Sequence, residues 1–465
     1  MLNNLKVRTD IADMTKSPEQ VPIPKGRAII TSLGPGLVLS MAFLGTGDLV
    51  SSSVSGANYG YTLMWSLILA LVCRTFIIST IAKYTLCNRF GDTQIFEGFK
   101  RLSSSFPIIL SFIVIIAGFT NQCTMLNACG TALYGLISAA LGYGFAGIWG
   151  IFICALLTMA VTIYMVTQKK QFKIFEYIAR ITSVIVIIFY LATLVKLGHF
   201  DIVGFLKGCF TFNVTGNDAK GLFGPLVVAC STIGAVGGNM PNLLYSGFMK
   251  DKGWVGPKYR KLQMLDLITG MAPLFLINML FWAVATEAVY SKGGTLETIA
   301  DLANMMQNII GPMGPVVLWI CIFGAAFTSF PSQSRGFAQL AVNGLHLGTK
   351  SGQKWIDKDE EDPKFRIIQM SVFVIIPIIA SIPGAPDMIV LNVLGTALAT
   401  CISLPVIIVG IIMLTSSKKY MMSYAVNKPW QTVVLVLLGA IAFFTASQLI
   451  PMLPNMFFKA FGSGL

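Results

Sequence analysis

Charge is what this 465-residue chain has least of: Asp, Glu, Lys and Arg make up 11% of it, against 55% apolar residues. A soluble globular domain carries about 25% charged residues, so a water-facing surface is excluded over most of the length and a polytopic membrane protein remains. Histidine is almost missing. The two present, His199 and His346, fall in loops or at span edges, so no imidazole stands within an apolar run. The nine cysteines (Cys73, Cys87, Cys123, Cys129, Cys154, Cys209, Cys230, Cys321 and Cys401) form no CxxC pair and no cluster with histidine; they read as small buried apolar side chains. The first 27 residues are polar, and the apolar run after them exceeds the about 7 to 15 residues of a signal-peptide core. No cleaved leader is expected. No segment between apolar runs is long enough for a separate soluble domain.

Crossing a hydrocarbon layer takes about 20 apolar residues in a helix. Eleven stretches qualify, near 28–57, 61–83, 106–135, 146–168, 174–197, 222–249, 265–290, 309–340, 367–383, 386–415 and 429–452. Residues 102–168 carry no charge at all, enough for two spans with Gly142 to Gly147 as the turn between them. The formal charge of +13 resembles a nucleic-acid footprint only as a sum. By position, 25 of the 33 Lys and Arg lie in the N-terminus and the loops after even-numbered spans, and five lie on the other side (Lys196, Lys207, Lys220, Lys292 and Lys459). Such alternation sets an orientation. It predicts a cytoplasmic N-terminal segment 1–27, a single transmembrane domain 28–452 in a cell membrane, and an extracytoplasmic tail 453–465. The partner is the lipid bilayer and not nucleic acid. Association with a second copy of the chain is left open.

Backbone polar groups must be paired within lipid, so a spanning helix breaks only where it faces protein or a watery cavity. Two spans carry break signals. The first reads Gly45-Thr46-Gly47-Asp48 near its middle, and Asp48 is the only charge between Arg27 and Arg74. The sixth reads Gly234-Ala235-Val236-Gly237-Gly238-Asn239-Met240-Pro241. A helix stopped in mid-membrane leaves its last carbonyls unpaired and partly negative. Two such breaks facing each other, with Asp48 between them, make a dehydrated cation site, the arrangement of paired discontinuous helices in transporters. The breaks lie about 190 residues apart and open two groups of five spans, near 28–197 and 222–415, with 429–452 as an added helix. Capping by Asp48 and Asn239 and helix packing by glycine are the competing explanations.

At these breaks the chain resembles the natural resistance-associated macrophage protein (Nramp) family of divalent-metal transporters. Gly34-Pro35-Gly36 through Gly56, Ile233 to Ser246, Gly130-Thr131-Ala132 and Leu404-Pro405 line up with it, and the similarity covers nearly all eleven spans. The resemblance implies an all-α, leucine-transporter-like 5+5 inverted repeat plus one helix, with helices 1 and 6 broken and alternating access. It also exposes departures. The family's first-helix Asp-Pro-Gly-Asn is Gly45-Thr46-Gly47-Asp48 here, so the carboxylate moves by three residues, and the sixth-helix methionine and histidine fall on Gly238 and Met240. The acidic pair tied to proton transfer falls on Thr124 and Asn127. These losses are shared with Nramp-related magnesium transporters and with a distant branch that carries Gly-x-Gly-Asp.

Losing thioether and imidazole removes the donors that favour softer ions. The expected cargo is Mn²⁺ or Mg²⁺, which keep part of their water, with no enzymatic activity and no resident cofactor. Candidate binding residues are Asp48, Gly45, Thr46, Gly47, Thr232, Ala235, Gly238, Asn239 and Met240; candidate pathway or gate residues are Asn127, Thr124, Asp266, Glu287 and Arg335. Asn121, Gln122 and Asn127 serve either the pathway or interhelical hydrogen bonds. Arg74 reads as a side chain that snorkels or pairs, and Glu176 with Arg180 as an i, i+4 pair. One carboxylate leaves a divalent ion under-neutralised, which keeps two alternatives open: a small organic solute coupled to a monovalent cation, and a sensor that keeps the fold without transporting.

Overall fold

The computed structural model describes residues 18–23, 46–167, 172–213, 223–237, 240–356 and 358–462. The expected first half of span 1 with Gly45, and the residues Gly238 and Asn239, lie outside this set, as do the side chains of Thr46, Glu176 and Arg180. Among the described residues every regular element is helical, apart from one isolated antiparallel bridge between Asn88 and Met421.

Helix α1 (Thr46–Tyr59) turns through a 3-10 stretch, Gly60–Leu63, into α2 (Met64–Cys87). Gly60 is required there: its φ is +56°, and a Cβ would sit 2.7 Å from the Tyr290 ring. Short α3 (Ile95–Leu102) is boxed at its start by Gln94 and Glu97 and leads into α4 (Phe106–Leu141). Pro107 suits the first turn of α4, and Gly142, left-handed at φ 78°, ends it where the sequence places a turn. Helices α5 (Gly150–Thr167), α6 (Phe172–Leu197) and short α7 (Ile202–Phe210) follow. Helix α8 is described over Pro225–Gly237, and the described chain resumes as a tight turn, Met240–Leu244, before α9 (Tyr245–Asp251). Then come α10 (Arg260–Ala288), α11 (Ile299–Ile310) and α12 (Met313–Gly348). The remainder is α13 (Pro363–Ile367), α14 (Met388–Thr415), α15 (Pro429–Leu449) and α16 (Leu453–Gly462).

Among the described residues, eight helical stretches are long and apolar enough to cross a bilayer. The other expected spans are covered only in part: what is described of the first runs into the second as Gly47–Cys87, residues 238 and 239 of the sixth lie outside the described set, and Val184–Leu197 is the described apolar stretch of the fifth. The ninth span also departs from a plain helix. After α13 it widens into a π-helical stretch, Ile368–Ile375, and tightens into a 3-10 stretch, Ile376–Ser381. Pro377 explains the change, since it has no N–H to give and its ring crowds the carbonyl four residues back.

The packing places α1 at the centre, against α8, α10 and α14, while α8 also packs on α2 and α4 lies along α12. The serines of α1 make this possible. Ser51, Ser52 and Ser55 are buried, and each bonds a neighbouring helix: Ser51 meets Ser231 of α8 at 2.8 Å, Ser52 donates to Asn278 of α10 at 2.7 Å, and Ser55 meets Thr232 of α8 at 2.8 Å. In an apolar surround each such bond satisfies groups that would otherwise be costly to bury. All nine cysteines are buried and free.

Candidate functional site

One cavity brings together the ends of the central elements. It has an empty volume of about 670 Å³, mouth included, and is walled by α1 (Gly47, Asp48), α2 (Arg74), α4, the α8 terminus (Gly234, Ala235) with Met240 and Pro241 after it, α12 and α14. Asp48 lies in the first turn of α1 and is 2% exposed; Asn278 of α10 donates to its Oδ1 at 3.4 Å while Ser52 holds the Asn278 amide oxygen. Glycine permits the approach of the two halves. A Cβ on Gly47 would stand 3.3 Å from Asn392 Oδ1, and one on Gly234 would stand 2.0 Å from Thr400 Oγ1 and 2.6 Å from the Thr396 carbonyl. Thus α8 lies directly on α14, and the carboxylate-bearing turn of α1 lies against both.

Three side-chain amide oxygens give the cavity its chemistry. Asn121 of α4, Gln333 of α12 and Asn392 of α14 all line it, and the Oδ1 or Oε1 of each is buried without a hydrogen-bond donor among the described residues. The Asn392 amide is oriented by donating through Nδ2 to Ser51 Oγ at 3.1 Å, which leaves its oxygen on the Gly47 side. Buried acceptors are almost always paired, so three unfilled ones beside a carboxylate mark a place where something electropositive is received. The donor set is oxygen throughout apart from the Met240 thioether, and no group of three His, Cys, Asp or Glu occurs among the described residues. Such donors suit a hard, partly hydrated ion.

The residues expected from sequence divide into two sets. Gly47, Asp48, Ala235, Met240 and Thr124 line the cavity. Thr232 does not: its hydroxyl donates to the Val228 carbonyl at 3.1 Å and pairs with Ser55, so it joins helices instead of facing an ion. Asn127 likewise donates to the Ala380 carbonyl at 2.7 Å, tying α4 to the irregular ninth span. Gly45, Gly238 and Asn239 lie outside the described residues, and of Thr46 only the backbone is described, as the first residue of α1. Three candidates are not among the residues that line the cavity. Asp266 accepts from Tyr245 Oη at 3.1 Å, Arg335 pairs with Glu360, and Glu287 accepts from Tyr61 Oη at 2.8 Å and from the Asp201 N–H at 3.0 Å.

Of the two readings of Arg74, snorkelling and pairing, the structure fits the second. The side chain does not snorkel: it is 1% exposed, stands in the cavity wall with Asp48, and donates through Nη1 to the Val236 carbonyl at 2.9 Å. Asp48 is the oppositely charged side chain in the same wall. The neighbouring Gly237 carbonyl accepts from Asn242 Nδ2 at 3.1 Å. Two of the terminal carbonyls that a broken helix was expected to offer an ion are therefore engaged by the protein's own side chains. Sequence reasoning missed Gln333, Asn392 and Thr396 altogether, because nothing in a lone amide or hydroxyl within an apolar run says which way it faces.

Comparison with known proteins places this geometry. A family model described as natural resistance-associated macrophage protein-like matches residues 36–451. The chain is similar to the divalent metal cation transporter MntH of Bacillus subtilis, 24% identical over 428 residues covering 88% of this chain and 89% of that one. It is also similar to MntH of Listeria innocua, 23% identical over 434 residues and 89% of each chain. Among solved structures, the Eremococcus coleocola manganese transporter in complex with an aromatic bis-isothiourea substituted compound superposes with a TM-score of 0.70 at 14% identity, over 98% of this chain and 96% of that one. MhsT in complex with L-phenylalanine superposes at 0.59 and 15% identity, over 95% and 100%. These likenesses establish the fold as that of Nramp and related transporters.

Proposed function

The chain belongs to the natural resistance-associated macrophage protein family, and we infer that it carries divalent metal cations across a membrane, with a hard ion, Mn²⁺ or Mg²⁺, received in the cavity beside Asp48. One observation carries the choice of ion: a carboxylate and three unfilled amide oxygens face a single cavity at the described end of α8. Octahedral ions that keep several waters need few protein donors, and oxygen donors at that. Met240 is a lone soft donor and gives no basis for selecting a softer metal.

Alternating access fits the same parts. Eleven crossings, two inverted repeats over about 28–197 and 222–415, and a cytoplasmic N-terminus in the plasma membrane are the topology we propose, supported by the loop-by-loop distribution of Lys and Arg. Glu287 then belongs to an outer closure. It joins the end of α10 to Tyr61 in the turn after α1 and to Asp201 before α7, with His199 Nε2 at 3.5 Å, and these contacts must part for the cavity to open on that side. A second reading, a small zwitterionic solute, draws on the opposite charges of Asp48 and Arg74 across one cavity.

Uptake into proteoliposomes separates the readings. Wild type is expected to take up Mn²⁺ or Mg²⁺, and Asp48→Ala to lose at least tenfold of that rate. Absence of divalent flux in wild type, together with thermal stabilisation by an amino acid, overturns metal transport in favour of the solute.

A further inference from the structure

We propose that Arg74 is a tethered cation that competes with the transported metal for Asp48 and for the end of α8. This deepens the metal-transport reading and rests on it. A guanidinium is expensive to bury unless its charge and donors are met. Here the groups it faces are ones that would otherwise serve an incoming ion: Asp48 lines the same cavity, and the Val236 carbonyl, the next to last of α8, accepts from Nη1 at 2.9 Å. That carbonyl sits where the helix dipole concentrates negative charge. The placement is fixed by packing, since α2 lies directly on α8 and Gly237 meets Ala70, one turn before Arg74, with a virtual Cβ only 3.5 Å from the Ala70 carbonyl.

The consequence is charge balance without cargo. With Arg74 in place, the empty cavity holds one negative and one positive side chain, so the carboxylate need not be neutralised by a second ion when the metal leaves. A divalent ion that enters meets a positive charge held in the same cavity and must compete with it for Asp48. The unfilled oxygens of Asn121, Gln333 and Asn392 then complete its shell. Metal affinity is accordingly held down by Arg74, and removing its charge raises it.

Isothermal titration of Mn²⁺ into the full-length protein tests this. Arg74→Gln is expected to bind at least tenfold more tightly than wild type, and Arg74→Lys, which keeps the charge, to stay within about threefold. Unchanged or weaker binding by Arg74→Gln, with wild type binding normally, overturns the proposal and leaves metal transport standing. Failure of every form, wild type included, to bind a divalent ion instead removes the reading beneath it. Thermal melting of metal-free protein gives an independent arm. Asp48→Asn strands the guanidinium, so the double variant Asp48→Asn with Arg74→Gln should melt higher than Asp48→Asn alone. A double variant that melts lower overturns the proposal whether or not metal binding is seen.

Discussion

At the scale of single residues, legibility followed electrostatic rarity. Asp48 was readable because a carboxylate in a long uncharged stretch has few purposes, and Gly47, Ala235 and Met240 were readable because they surround the break signals; all four line the cavity. The amides were not readable. Asn392 and Asn127 look alike in sequence, yet one turns its oxygen into the cavity and the other donates to the Ala380 carbonyl, a difference set by helix rotation alone. Arg74 was left between two readings for a related reason, since a long cationic side chain in a span can reach water or a buried partner and only its azimuth decides. Gly234 offers a direct test of how tightly the walls are held. A methyl group there would stand 2.6 Å from the Thr396 carbonyl, which cannot rotate away as the Thr400 hydroxyl can. Gly234→Ala is therefore expected to cost about 1–3 kcal/mol, seen as a lower melting temperature, and to weaken metal binding by moving Ala235 away from Asn392.

At the scale of elements, the sequence located most helices but not their irregularities. A break in the sixth span was expected from three glycines and a proline; the described part of α8 ends at Gly237, and a 3-10 turn follows from Met240. The widening of the ninth span came from Pro377 acting on its own preceding turn, a proline passed over because the apolar run around it was unbroken. A second element-scale feature lies at the far end of α12. His346 is buried there between Asp359 (3.2 Å) and Asp362 (2.7 Å), fastening the segment after α12 back onto its last turn. Burial alone would raise the Asp362 carboxyl, but the hydrogen bonds from His346 and from the Lys364 N–H carry it below its ordinary 3.8. A carboxyl lowered in the folded state stabilises above the ordinary value, and that stability is lost as pH falls through the lowered one. The fastening should thus survive to below pH 3.8, with hydrogen exchange over residues 349–362 rising only beneath it. In His346→Gln the onset of exchange should move up towards 3.8; an unmoved onset would mean that His346 does not hold Asp362.

At the scale of the whole molecule, composition alone excluded a soluble protein, and the alternation of Lys and Arg suggested how the chain is threaded. Neither could say what the spans enclose. That depends on α1 and α8 meeting under α14, with α2, α4 and α12 closing the sides, so that residues from six stretches of sequence share one cavity. The central claim is that a hard divalent cation crosses the protein at this meeting point. Anomalous scattering from crystals grown with saturating Mn²⁺ tests it most directly. The account predicts one peak in the cavity, about 2–2.5 Å from an Asp48 carboxylate oxygen and from at least one amide oxygen of Asn121, Gln333 or Asn392. A Mn²⁺ peak elsewhere in the protein, with none beside Asp48, would contradict it.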